Sequence, residues 1–281
     1  MSSPQIAQIQ IPLSQRQGMP PNRRTFAYPF TQIPSQYVNK RYLFFESAFI
    51  EGLEGFGNDG AGSTCQDTMV RFNGHPTMRM DVSSSVAGDA GATPTTVNQA
   101  THNITKRRIA SDITVYGPGK YFFGFWFYFS NIQSGNSFLL AEIYDRNGAN
   151  RAQAAVWPNI AGSALSLLNA GPTWPNRHTG FSWDTSTVFG PTWGGTSGGG
   201  TGGSGMAGSW NWIEFGIDFD TLKYLYTCVN TQTFAETDNI PAFADTSQKV
   251  IHFGFEVGSL NATSAYRSAN IGEAYGGIIV P

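Results

Sequence analysis

Nine consecutive residues constrain this chain more than any others. Residues 121–129 read YFFGFWFYF, eight aromatic side chains around Gly124. A helix that crosses a bilayer needs about 20 apolar residues. This run is shorter, and Gly117-Pro118-Gly119-Lys120 and Ser130-Asn131 bound it. Its length fits one strand buried on both faces. Tyr121, Phe123, Phe125, Phe127 and Phe129 then share one side, and Phe122, Trp126 and Tyr128 the other. The first set fills a core. The second set also needs a cover, because burying one Phe-sized side chain is worth about 1.5–3 kcal/mol and an open row of them invites association. A loop of the same chain, the N-terminal segment, a sugar or another subunit could supply that cover.

The 281 residues suffice for one large all-β domain with an appendage. Charged residues make up 13% and the net charge is −2, so no global field points to nucleic acid or to an anionic membrane. Residues 1–40 differ from the rest: six prolines, seven glutamines, Arg16, Arg23, Arg24 and Lys40, and neither Asp nor Glu. Proline blocks helix and central-strand pairing, so this segment reads as an extended, mildly basic arm. It is either a disordered tail or a strap laid on a neighbouring subunit. In the second case Arg16, Arg23, Arg24, Phe26, Tyr28 and Phe30 of the arm, with Phe122, Trp126 and Tyr128 of the aromatic strand, are the assembly residues. The N-terminus lacks a charged region followed by an apolar one, so no Sec-type signal is visible. Cys65 and Cys228 either form one disulfide or remain two free, buried thiols, which leaves the compartment open.

From residue 41 onward the hydrophobic period is two. Strands are expected at 42–50, 77–82, around Ile109–Val115, at 121–129, 138–144, 152–157 and 163–168, and then at 212–219, 224–230 and 251–257. Asn147-Gly148 signals a hairpin turn. Residues 83–104 read as a long loop, 170–209 as a Gly/Trp-rich loop, and 243–248 as room for one short helical turn. The expectation is an all-β, two-sheet antiparallel sandwich at 41–281 behind the arm.

Four stretches together resemble the concanavalin A-like sandwich in its laminin G-like form: 120–149 (the aromatic strand, a polar link, then a strand ending in Asp and Gly), Ser163–Asn169, Ser209–Asn230 with its Trp opening and Asp-x-Thr turn, and Ala269–Val280. The resemblance spans about 110–280 and implies two large antiparallel sheets packed face to face in a jelly roll. Sandwiches of this kind include glycosidases, polysaccharide lyases and lectins.

The catalytic patterns of such relatives are sparse here. The β-glucanase Glu-x-Asp-x-x-Glu motif is absent. Its nearest counterpart places Asp218 and Asp220 about 6.6 Å apart on one strand face, compatible with the roughly 5–5.5 Å of retaining chemistry, although Asp220 reads as a turn residue. Alginate lyases use Gln-x-His, but Val250 stands two before His252, which reads as a surface partner of Glu256. The four histidines have no ligand spacing. No cofactor is expected, with calcium at Asp59, Asp67 and Asp145 as the one alternative. Gly194–Gly208 lacks the Lys of a phosphate loop and Lys106-Arg107-Arg108 reads as a solvated turn. Trp174, Trp183 and Trp193, with Arg177 and Asp184, form a candidate sugar site, since Trp faces stack on pyranose rings and the polar groups bond hydroxyls. Anchoring of the loop is the competing role.

These features lead to three expectations. The first is a non-enzymatic virion protein (a phage decoration, minor capsid or tail-associated subunit) partnered by itself and other virion proteins. The second is a carbohydrate-binding attachment domain, on a virion or extracellular. The third is a polysaccharide hydrolase or lyase. Neither nucleic acid nor membrane is an expected partner.

Overall fold

In the computed structural model the described residues are 32–58, 63–83, 98–105, 119–129, 137–145, 151–157, 164–168, 183–184, 210–230, 232–236, 250–259 and 266–280. Among them one helical turn, α1 (Ser35–Val38), precedes strands β1 (Arg41–Ser47), β2 (Gly57–Asn58), β3 (Ser63–Phe72), β4 (His75–Ser83), β5 (Asn98–Thr105), β6 (Lys120–Tyr128), β7 (Ser137–Asp145), β8 (Arg151–Trp157), β9 (Ala164–Leu168), β10 (Trp183–Asp184), β11 (Asn211–Asp218), β12 (Lys223–Val229), β13 (Gln232–Ala235), β14 (Val250–Ser259) and β15 (Tyr266–Ile279).

The strands form two antiparallel sheets. The eight-stranded sheet runs β13-β12-β11-β6-β15-β4-β3, with β1 also on β15; the seven-stranded sheet runs β10-β9-β8-β7-β14-β5-β2. The long β15 organises the first sheet. β6 flanks it from Asn270 to Ile279, while its other edge takes β4 along 266–271 and β1 along 274–279. The expected two-layer sandwich is thus the observed fold.

The aromatic strand is β6, and its odd residues face the second sheet. Phe123 lies 5.0 Å from Phe255 and 5.5 Å from Phe253 between ring centroids, and Phe125 lies 5.0 Å from Phe255. Such pairs add about 0.5–1.5 kcal/mol each beyond the area they bury. Leu139, Ala141, Ile143, Ile213, Phe215, Ile217, Ile271 and Ala274 complete this core. Gly124 has a specific reason to be glycine. A Cβ there would stand 2.2 Å from Cζ of Tyr275, so Gly124 makes the room that Tyr275 occupies across the β6–β15 ladder.

Several sequence expectations change. The part of the arm that is described, residues 32–40, is not extended throughout: Pro34 opens α1, and Ile33 lies buried with Tyr37 and Val38 against Leu43, Phe122, Trp212 and Tyr226. Pro34 fixes its own φ and needs no donor there, which suits it to the entry of a helical turn. Within the presumed loop 83–104, β5 begins at Asn98 and pairs β14 from Asn98 to Thr105; its polar sequence hid a strand whose partners supply the hydrophobic surface. The cysteines are both free, and only Cys228 is buried, Cys65 being exposed. The β7–β8 hairpin exists, with Tyr144 opposite Arg151. The strand expected around Ile109–Val115, the turn at 243–248 and the basic triplet 106–108 lie outside the described residues.

Candidate functional site

Each sheet has an outward face, and both faces carry buried polar groups. On the seven-stranded sheet, Leu139, Ala141 and Ile143 of β7, Ala152 and Ala154 of β8, and Ile251, Phe253 and Phe255 of β14 point into the core. Alternation turns Glu142, Gln153, His252 and Glu256 the other way. Glu142, Gln153 and Glu256 are nevertheless buried and His252 is half-buried. Gln153 donates from Nε2 to Oε2 of Glu142 at 2.7 Å. Two rows cross this face in register. Gln153, Glu142, Gly254 and Thr101 form one; Arg151, Tyr144, His252 and Asn103 form the next. A carboxyl, a carboxamide and an imidazole thus occupy adjacent strands, and β10 brings Trp183 and Asp184 to the edge of the same sheet opposite Leu168 and Leu167.

On the eight-stranded sheet the outward face has a sealed half. Glu214 of β11 is fully buried. Its Oε2 accepts from Nη2 of Arg41 at 2.7 Å and from the hydroxyl of Tyr275 at 2.7 Å, and its Oε1 accepts from the hydroxyl of Tyr226 at 2.7 Å. Trp212 donates from Nε1 to the Tyr275 hydroxyl at 3.0 Å. The Arg41 guanidinium also lies 3.8 Å above the Phe122 ring. Burial, and then the adjacent Glu214 carboxyl, push the phenols of Tyr226 and Tyr275 well above their ordinary value, so both remain protonated donors. The strap formed by residues 32–38 closes this cluster: Tyr37 stacks on Tyr226 at 5.3 Å, and the Gln32 carbonyl accepts from the Cys228 thiol at 3.3 Å and from the Thr233 hydroxyl. A covered ion pair of this kind, with donors on both carboxylate oxygens of Glu214, anchors structure; no substrate reaches it as it stands.

The residues singled out from sequence fall as follows. Phe122 is buried under Arg41 and the strap, so it cannot be an assembly surface; the arm's own end is its cover. Trp126 and Tyr128 stay half-buried on the open half of that face. Arg16, Arg23, Arg24, Phe26, Tyr28 and Phe30, and likewise Trp174, Arg177 and Trp193, lie outside the described residues, and Trp183 and Asp184 are placed as strand positions only. Asp218 is a turn residue: its Oδ1 accepts the amides of Asp220 at 2.9 Å and Thr221 at 3.3 Å, closing the β11–β12 hairpin, with Lys120 3.8 Å from Oδ2. Asp220 is exposed and lies in that turn. His252 and Glu256 stand four residues apart on β14, about 13 Å, and Glu256 is buried, so they are not surface partners. Of the calcium candidates, Asp59 is outside the described residues, while Asp67 and Asp145 belong to different sheets. Asp67 instead accepts Asn270 Nδ2 at 3.0 Å and the Met69 and Val70 amides at 2.8 and 3.1 Å. Among the described residues, no group of three or more His, Cys, Asp or Glu could hold a metal.

Sequence reasoning missed Glu142, Gln153 and Glu214. The available signal was parity: each is the polar residue at an outward position between apolar inward ones.

No protein-family model matches the sequence, and no curated protein matches it. Solved structures do resemble the fold. An endo-β-1,4-glucuronan lyase from the fungus Trichoderma reesei superposes with a TM-score of 0.51 at 16% identity, over 84% of this chain and 95% of that one. A carbohydrate esterase from the Shiga toxin-encoding bacteriophage phi24B gives 0.49 at 8%, over 85% and 100%. The lectin UEA-II, complexed with galactose, gives 0.44 at 10%, over 84% and 98%. At these identities the likeness is one of fold: the chain is a two-sheet jelly-roll sandwich, consistent with the concanavalin A-like architecture.

Proposed function

We propose that the chain is a carbohydrate-binding protein whose glycan lies across the outward face of the seven-stranded sheet. One observation carries this reading: Glu142, Gln153 and His252 occupy neighbouring outward positions of β7, β8 and β14, where packing alone would be served by apolar residues. A buried polar group costs about 1–3 kcal/mol unless it is hydrogen-bonded. A carboxyl bonded to a carboxamide offers a planar array of donors and acceptors that matches vicinal sugar hydroxyls. The edge strand β10 brings the Trp183 position to the same sheet.

Cleavage is a second reading, favoured by the imidazole of His252 one row from the Glu142 carboxyl, two side-chain types that serve as general acids and bases. A virion role would rest on the N-terminal arm. The arm's described end packs on its own sheet.

The test is a polysaccharide panel scored for binding and for new chain ends. Wild type should bind at least one glycan, and Glu142→Gln or His252→Ala should lower affinity more than tenfold in folded protein. Product release abolished by His252→Ala would promote the enzymatic reading. A wild type inert across the panel in both assays would overturn both.

A further inference from the structure

The other half of the eight-stranded sheet's outward face is built differently from the sealed one. Trp126 of β6 and Trp210, just before β11, each pack against Phe72, at 5.1 and 4.8 Å between ring centroids, the second pair edge-on, and Tyr128 lies 5.2 Å from Trp210. Phe72 is buried beneath, while Trp126, Tyr128 and Trp210 each keep part of their surface open. Gly272 makes this possible: a Cβ there would stand 2.6 Å from Phe72 and 2.9 Å from Trp210. The register shift at the same residue places Glu273 directly opposite Trp126, where facing side chains on one sheet side are about 5 Å apart.

Glu273 is only 3% exposed, and its Oε1 meets no hydrogen-bond donor among the described residues. Asn73, from the β3–β4 turn, hydrogen-bonds the carboxyl, and Glu46 of β1 lies close enough to repel its charge. A buried oxygen without a donor is costly, and it is rarely left so without a reason. Open aromatic faces beside a donor-hungry carboxyl have a chemical complement: a pyranose, with an apolar ring face and a rim of hydroxyls. The Glu46 carboxylate close by disfavours an anionic sugar and favours a neutral one.

We propose that this patch is a second glycan-binding site, in which a neutral pyranose stacks on Trp126, Tyr128 and Trp210 and exchanges a hydroxyl hydrogen bond with Glu273. It is separate from the seven-stranded face, since the two outward faces lie on opposite sides of the shared core. A chain that holds glycan on both sides could bridge two strands of a polysaccharide.

The experiment is calorimetric titration of the full chain with neutral β-1,4-linked hexasaccharides of glucose, xylose and mannose, and with oligoglucuronate as the anionic contrast. A neutral hexasaccharide should bind. Trp210→Ala should weaken it more than tenfold and Glu273→Ala by severalfold, with unfolding midpoints confirming that each variant is folded. Should Trp210→Ala not fold, saturation-transfer NMR on wild type replaces it, and magnetisation must pass between the indole protons and the sugar ring. The proposal is overturned if wild type binds none of the neutral oligosaccharides, if oligoglucuronate alone binds, or if binding survives Trp210→Ala and Glu273→Ala. In the last case, loss on Glu142→Gln would place the glycan wholly on the seven-stranded face.

Discussion

Glu214 and Glu273 stand on the same outward face of the same sheet, both almost without exposure. They differ in their company. Glu214 has Arg41, Tyr226 and Tyr275 on its two oxygens and a strap across its back. Glu273 has Asn73, a repelling Glu46 and an oxygen without a donor. Burial alone therefore does not tell a structural carboxyl from a functional one; the count of donors does. Where every lone pair is met, the group locks the fold. Where one is not, the group awaits a ligand or a proton.

The comparison can be broken most directly at Glu214. Glu214→Ala strands the Arg41 guanidinium in the interior, which should cost about 3–5 kcal/mol, read by urea unfolding. A cost near that of a surface change would mean that the cluster is not the anchor described. Removal of residues 1–38 strips Ile33, Tyr37 and Val38 from Trp212 and Tyr226 and should cost about 1.5–3 kcal/mol per large side chain uncovered, whereas removal of residues 1–31 spares the strap. Equal stability of the two truncations would show that the strap seals nothing. A change of mass in solution with the shorter truncation would instead revive assembly through the arm.

Glu273 sharpens the contrast through pH. Burial, and then Glu46, push its carboxyl up from 4.5 to about 8, against the Asn73 hydrogen bond. Between those values the native chain holds a proton that the unfolded chain has lost, so stability falls as pH rises from about 4.5 to about 8. Glu273→Gln should flatten that slope, with its gain in melting temperature largest near the upper end. An unchanged slope would mean that Glu273 already has a donor. The smallest effect is expected at Asp218. Asn keeps an oxygen for the amides of Asp220 and Thr221, so Asp218→Asn should cost about 0.5–1 kcal/mol at most and leave glycan binding intact. Loss of binding would return Asp218 to the candidate site.

Much of the architecture was legible. Alternation in β4, β6, β11 and β14 shows which residues face inward, because a strand's side-chain period is two whatever it pairs with. The polar β5 was not legible, since its hydrophobic complement belongs to β14. The β3–β4 turn had an available signal in Asn73-Gly74, both with positive φ.

From the sequence by itself came the sandwich, the two-faced aromatic strand and the need to cover its second face. Only the tertiary structure decided who does the covering. Arg41 and Glu214 are 173 residues apart in the chain, and Tyr275 and Glu214 are 61 apart. Local periodicity orients a side chain to a face, but its partner across the sheet depends on strand order and register, which long-range pairing sets. That is why one carboxyl of the face became an anchor and the other was left with an oxygen short of a donor.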